Sequence, residues 1–347
     1  MKPREDAPAA VKRASIKDIA QLANVSHSTV SRALRSSRLI SEATAGRIRR
    51  IAREAGYAPS AAARSLVTRR SDAIGVVVTN IADPFVAGVV SGIEEVATEK
   101  GYSVFLANSH ADPEREVRVA QSLEERRVDG IIVTSSRVGA MYVPLLSRMR
   151  VPIVLLNNQH PSEFVHSVMI ANAEAALEAT RHLVGLGHRH IAYLGDRYGH
   201  QSETERFSGY RRALEEAGLA LEPELVAQGD GKPEGAGPAM AHLLALPHPP
   251  TAVFCYNDLS ALGAMREAFA RDLRVPSDLS IVGFDDLYIS RYLNPPLTTV
   301  RQPMHQMGRM AMETLLDLLA GGRRDHNLKV PGDLIVREST APPKERI

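Results

Sequence analysis

From Asp72 onward, short runs rich in Val and Ile alternate with longer amphipathic stretches. This is the pattern of parallel strands joined by crossover helices. Strands are expected at 74–79, 103–107, 130–134, 152–156, 190–194, 225–228, 252–256 and 280–284, with a helix near 85–100. Polar residues follow many of these strands: Thr79-Asn80, Ser135-Ser136, Asn157-Asn158, Asp196, Asn257-Asp258 and Asp285-Asp286. Ligands of open α/β sheets bind at the carboxyl ends of the strands. Two lobes with facing strand ends would therefore enclose a polar cleft able to close about a hinge.

The chain's 347 residues exceed what one core organises, so several domains are expected. The net charge of +2 conceals a division. Residues 1–70 hold 15 Lys or Arg against 5 Asp or Glu, and the remainder holds 27 against 35. A polyanion is the natural partner of the first segment.

Within that segment Ser15, with Asp18 three residues on, starts a short helix carrying Ile16, Ile19, Ala20 and Ala23 and ending near Asn24. Ser26 starts a second, whose inner stripe is Val30, Ala33 and Leu34, so His27, Ser28, Ser31, Arg32 and Arg35 face outward. Ser41 starts a third, closed by Ile48, Ile51, Ala52 and Ala55 and ended by Gly56. A helix-turn-helix with a small-polar and Arg face suits the DNA major groove. Arg32 can donate two hydrogen bonds to a guanine edge, His27 and Ser28 can read bases, and Thr29 and Ser31 can position phosphates.

Other functions find little support. No G-x-G-x-x-G follows the first strand and no phosphate-binding G-x-x-x-x-G-K-[ST] occurs, so no nucleotide cofactor is expected. Asp285 and Asp286 are adjacent on a strand end and so point apart rather than flanking one bond. His182, His188 and His190 lie across a helix-to-strand turn, a poor metal arrangement. No G-x-S-x-G elbow occurs, and Cys255 lies in the apolar run 252–256. One cysteine forms no intrachain disulfide, and no stretch reaches the roughly 18 apolar residues of a membrane span. A non-enzymatic, cytoplasmic protein without metal or membrane association is expected.

Several motifs together resemble the lactose-repressor/galactose-repressor (LacI/GalR) family. They are Ile16-Lys17-Asp18-Ile19-Ala20, Val25-Ser26-His27-Ser28-Thr29-Val30-Ser31-Arg32, Gly56-Tyr57-Ala58-Pro59-Ser60 and Ala63-Arg64-Ser65-Leu66. The likeness continues through Val128-Asp129-Gly130, Gly187-His188-Arg189-His190-Ile191, Asn257-Asp258, Gly283-Phe284-Asp285-Asp286 and Pro296-Leu297-Thr298-Thr299-Val300.

The resemblance implies a homodimeric, repressor-type regulator on a palindromic double-stranded operator, associated with the bacterial nucleoid when bound. Its implied fold is an all-α helix-turn-helix domain with a hinge helix, and a two-lobed α/β core with parallel sheets like periplasmic binding proteins. The implied boundaries are a tail at 1–14, a DNA-binding domain at 15–59, a hinge at 60–71, a core at 72–340 and a tail at 341–347. Lobe 1 would comprise about 72–170 and 301–327, and lobe 2 about 171–300 and 328–340.

By that resemblance, Lys17, Ser26, His27, Ser28, Thr29, Ser31, Arg32, Tyr57, Ser60, Ala63, Arg64 and Leu66 meet DNA. The hinge would fold on the operator and wedge Leu66 into the minor groove; a flexible linker with Leu66 docked on the core is the other reading. Asn80, Phe85, Ser136, Asn157, Ser202, Arg206, Asn257, Asp285 and Met304 are the implied effector residues, with a sugar as the expected effector.

Read by their chemistry, Phe85 could stack on a pyranose or simply pack its helix, Asn257 could bind hydroxyls or cap a helix, and Arg206 could bind ligand or pair with a carboxylate. The chain departs from the family at Ala171, where an acidic residue usually precedes the Asn, and at Asn157, often Asp. A phosphorylated or acidic effector is therefore also open, as is a plain solute-binding protein.

Overall fold

The computed structural model describes residues 14–34, 37, 39–57, 70–135, 149, 151–157, 166–322 and 326–344. The chain divides into two compact units, 1–71 and 72–347. Ser60, Ala63, Arg64, Leu66 and Ser136 lie outside the described residues, as do Arg35 and Asn158.

In the first unit, α1 (Ile16–Leu22), α2 (His27–Leu34) and α3 (Glu42–Glu54) enclose Ile19, Ala20, Ala23, Val30, Ala33, Ala45, Ile48 and Ala52. A reciprocal cap opens α1: Ser15 Oγ accepts from the Asp18 N–H at 3.3 Å, and Asp18 Oδ2 accepts from the Ser15 N–H at 2.7 Å. Asn24, at φ 50°, turns the chain into α2, a conformation Asn tolerates better than most residues. Gly56, at φ 62°, ends α3.

The second unit holds two six-stranded sheets, ordered β11-β5-β4-β3-β1-β2 and β12-β10-β9-β8-β6-β7. The first comprises β1 (Ala73–Val78), β2 (Ser103–Asn108), β3 (Gly130–Thr134), β4 (Ile153–Leu156), β5 (His166–Ile170) and β11 (His326–Val330), all in parallel pairs. The second comprises β6 (Ile191–Asp196), β7 (Val226–Gly229), β8 (Ala252–Cys255), β9 (Ser280–Asp285), β10 (Thr298–Arg301) and β12 (Asp333–Ile335), with only β12 antiparallel. The helix-turn-helix and two-lobed parallel α/β architecture expected from the sequence is what forms.

Helices α4 (Pro84–Glu99), α5 (Pro113–Glu125) and α10 (Met304–Leu319) belong to lobe 1. Helices α6 (Asn172–Gly185), α7 (Gln201–Glu216), α8 (Pro233–Leu244) and α9 (Asp258–Ala270) belong to lobe 2. α4 and α10 meet through glycines: a Cβ on Gly92 would lie 2.0 Å from the His305 carbonyl oxygen, and one on Gly308 2.0 Å from that of Val89. The backbones touch there, which no other residue type permits.

The lobe boundaries differ from expectation. Leu328 and Val330 pair with Val168 and Ile170. The last crossing therefore follows Val330 rather than residue 327, because these apolar residues extend the lobe 1 sheet. Arg301 pairs with Asp285 and Asp333, so the middle crossing follows Arg301 rather than residue 300. The chain thus crosses at 171, 302–303 and 331–332, and both later crossings follow strands absent from the sequence reading.

Candidate functional site

On α2, the cap cluster uses up some of the hydroxyls expected to read DNA. Ser26 Oγ accepts from the Thr29 N–H at 3.1 Å and lies 2.7 Å from Ser28 Oγ and 2.8 Å from Thr29 Oγ1. Thr29 and Ser31 are half-buried, whereas Lys17, His27, Ser28 and Arg32 are exposed. Among the described residues Arg32 makes no ion pair, leaving its guanidinium available to a polyanion. Tyr57 packs against the three-helix core instead of standing free.

In the second unit the strand ends of both lobes border one cleft of about 880 Å³. Asn80, Phe85, Asn157, Ser202, Arg206, Asn257 and Asp285 all line it. Met304 does not. As the first residue of α10 it packs its Cβ and sulfur against Gly88 of α4.

Arg206 is 4% exposed and held on several sides. Its Nε donates to Asn172 Oδ1 at 2.9 Å and its Nη1 to the Tyr256 carbonyl at 2.6 Å. Its guanidinium carbon sits 3.7 Å from the Phe284 ring centroid and 4.7 Å from that of Tyr256. Nη2 remains 3.9 Å from Asp285 Oδ1, close enough for attraction without a direct hydrogen bond.

Asp285 ends β9 at φ 119°, a backbone region that L-residues rarely adopt. Its Oδ1 accepts from Gln302 Nε2 at 2.5 Å. Burial pushes its carboxyl up to about 8, opposed by the Arg206 charge. The neighbouring Asp286 turns away, accepting from Arg301 Nε at 2.7 Å and from Arg337, which hold its carboxyl below the usual range against the cost of burial. The two carboxylates do not flank a common bond.

Asn257 caps α9, its Oδ1 accepting from the Ser260 N–H at 2.8 Å while Nδ2 donates to the Gly231 carbonyl at 3.0 Å. Both of its polar atoms serve the wall, so the capping role is realised within the cleft. Phe85 belongs to the lobe 1 core and also lines the cleft, its N–H held by Asp83 Oδ1 at 2.9 Å.

Other cleft residues were not singled out from sequence. His200 precedes α7 and bonds through Nδ1 to Asp196. Tyr256 pairs its hydroxyl with Ser202 Oγ at 2.9 Å. Gln302 lies on the middle crossing, Lys232 and Asp230 flank Gly231, and His110 stands at the lobe 1 rim. Asp196 followed by His200 at a strand-to-helix turn was the available signal for that pair. For Gln302 no signal existed until β10 was placed.

Two of the three histidines are held by hydroxyls of the second lobe. His188 Nδ1 lies 2.9 Å from Thr251 Oγ1 and its Nε2 3.1 Å from Ser280 Oγ, while His182 Nε2 lies 3.0 Å from Thr340 Oγ1. Cys255 is buried, and burial raises its thiol far above the usual range.

Residues 15–60 match the family model of bacterial regulatory proteins of the lacI family, and residues 180–340 that of a periplasmic binding protein-like domain. The HTH-type transcriptional repressor PurR of Aliivibrio fischeri (strain MJ11) is 36% identical over 91% of this chain and 94% of its own length. The structure of the transcriptional regulator CelR in complex with cellobiose is 33% identical, covers 94% of this chain and all of that one, and superposes with a TM-score of 0.72. A lac repressor dimer bound to operator and the anti-inducer ONPF is 28% identical, covers 95% of this chain and all of that one, and superposes at 0.88. With this likeness running through both the basic three-helix unit and the two-lobed core, the chain belongs to the lacI family, as a DNA-binding transcription regulator under effector control.

Proposed function

We propose that this regulator is a homodimeric repressor of a palindromic operator in the bacterial cytoplasm, and that its effector is a neutral sugar held between the lobes. One observation carries the sugar reading. Arg206 and Asp285 lie 3.9 Å apart, each fixed by other partners, in a cleft that Phe85 also lines. Hydroxyls both donate and accept, so a polyol engages the guanidinium and the carboxyl together. A volume of about 880 Å³ admits a mono- or disaccharide. The CelR neighbour, solved with cellobiose, supports the same chemistry.

Dimerisation is supported by exposed apolar side chains: Phe105 and Leu106 on the edge strand β2, and Tyr288, Ile289 and Tyr292 after β9. The lac repressor neighbour was solved as a dimer on its operator. Two recognition helices on one palindrome follow from that symmetry. Residues 60–71 would then serve as the hinge, with Leu66 as the wedge and Ser60, Ala63 and Arg64 along the backbone.

A thermal-shift screen of sugars, followed by operator binding with and without the hit, tests the proposal. A neutral sugar that raises the melting temperature and changes operator affinity at least tenfold is the expected result. Stabilisation by no sugar, or by one that leaves operator affinity unchanged, would overturn it.

A further inference from the structure

We infer that Arg301 is a positioning residue: clamped on the buried Asp286 carboxylate, it fixes where the chain bends between the lobes, and so sets the balance of lobe arrangements on which operator affinity depends. The inference uses no ligand and stands apart from the sugar reading.

One carboxylate holds the chain at both later crossings. Asp286 follows β9 at φ 55°, and its side chain is only 2% exposed. Arg301 Nε donates to its Oδ2 at 2.7 Å, and Arg337 Nη2 donates to its Oδ1. Arg301 ends β10, directly before the crossing at 302–303. Arg337 stands just after β12, whose first residue, Asp333, follows the crossing at 331–332. The backbone repeats the tie, since Arg301 pairs with Asp285 on one side and with Asp333 on the other.

The two arms of the clamp are unequal. Arg337 is the fixed arm: it is 14% exposed, its Nη1 also donates to the Leu297 carbonyl at 2.7 Å, and its N–H donates to Thr298 Oγ1 at 2.9 Å. The Arg301 side chain is 46% exposed and has no second partner among the described residues. Removing it leaves Asp286 paired with Arg337, so the buried charge stays compensated. What is lost is the side-chain anchor at the exposed end of a four-residue strand.

Hinges are a few element-terminal residues that absorb the change in backbone torsion. With Arg301 anchored, β10 stays whole and the bend is confined to 302–303. Without the anchor the strand end frays and the bend spreads back toward Val300. That alters the relative energies of the lobe arrangements, and a protein whose arrangements bind operator unequally then shows a changed affinity with no ligand present. An ordinary exposed ion pair has no such reach; Arg212 and Glu216, for example, both lie on α7 and touch no crossing.

The test uses the full-length, ligand-free protein. Spin labels at Glu125→Cys on α5 and Glu215→Cys on α7, both exposed, report the distance between lobes by pulsed electron resonance, the native Cys255 being buried. Each labelled chain is diluted in unlabelled protein, so that distances within one chain dominate. Operator affinity is read on a duplex selected from a random pool by the wild type. Arg301→Ala should shift or broaden the distance distribution and change operator affinity at least about fivefold. Its melting temperature should move by less than about 4 °C, as for an exposed pair. Arg301→Lys keeps the charge with a different reach and should fall between Arg301→Ala and the wild type. Arg212→Ala, which removes the same charge away from the crossings, should leave distances and affinity unchanged. Wild-type distances in Arg301→Ala, or an affinity change matched by Arg212→Ala, overturns the inference. So does an Arg301→Ala chain that fails to fold, since the clamp would then hold lobe 2 together rather than place the bend.

Discussion

Arg206 Nε donates to Asn172 Oδ1 at 2.9 Å, which ties the cleft's cation to the first residue after the chain's first crossing between lobes. Asp285 is tied likewise to the middle crossing through Gln302. A ligand that moves either group loads a crossing directly. Coupling between effector and operator needs such an element with a differential response to ligand.

The tether predicts a graded mutational series. Arg206→Ala should cost at least about 100-fold in sugar affinity, since it removes the buried cation that a ligand hydroxyl would meet. Asn172→Ala keeps the guanidinium but frees Nε, and should cost about tenfold. It should also shrink the effect of sugar on operator affinity. Calorimetry and operator titration measure both; unchanged sugar affinity and coupling in Asn172→Ala would show that the tether plays no part.

Protein stability should pass through a maximum with pH. Burial raises the carboxyls of Asp285 and Glu203, the latter to about 7. At these two sites the folded protein binds more protons than the unfolded chain above a pH of about 4, so their contribution to stability falls as pH rises through roughly 4 to 8. His182 and His188 are lowered by burial, and Asp286 chiefly by its arginines. Their contributions are present above the unfolded values, about 6.5 for His and 4 for Asp, and are lost as pH falls below them. Asp285→Asn should flatten the alkaline side of a melting-temperature profile and leave the acid side. An unchanged alkaline slope would contradict the raised carboxyl.

On the DNA side, Arg32→Ala should weaken specific operator binding by about 1–3 kcal/mol while changing stability little, because the side chain is exposed and makes no ion pair among the described residues. Ser15→Ala should do the reverse, costing about 1 kcal/mol of stability in the three-helix unit through the lost cap. Fluorescence anisotropy against operator and non-operator duplexes separates them. A uniform loss on both duplexes for Arg32→Ala would make it a phosphate contact rather than a base reader.

Legibility followed the size and chemistry of each signal. The continuous apolar runs of β1, β3 and β9 declared themselves, as did the Ser15 and Ser26 caps, because one local pattern determines each. β10 (TTVR) and β11 (HNLKV) were missed because both are short and polar, and only their sheet neighbours make them strands. Missing them displaced the lobe boundaries and hid Gln302. Met304 is not among the cleft-lining residues; a helix start beside the cleft can face either way, and its Cβ and sulfur lie next to Gly88. His200 was not singled out although Asp196 four residues earlier was a signal, because the pairing needs the turn through Gly199 at φ 67°.

The departure at Ala171 supplies the last prediction. Ala171 is the N-cap of α6 and makes no side-chain cap, whereas Asp83, Asp112 and Asn257 cap α4, α5 and α9. The first amide groups of α6 therefore lack the acceptor that an acidic residue would supply. Ala171→Asp should stabilise the core by about 1 kcal/mol through the cap and the helix dipole. The same position begins the first crossing, directly before Asn172, the Arg206 tether. A stiffer helix start should therefore also reduce the change in operator affinity on sugar binding, with sugar affinity itself shifting by less than about threefold. Chemical denaturation of the isolated core, residues 72–347, reads the first effect, and operator titration of the full chain reads the second. A stabilised variant with unaltered coupling would place the moving element at the two later crossings instead.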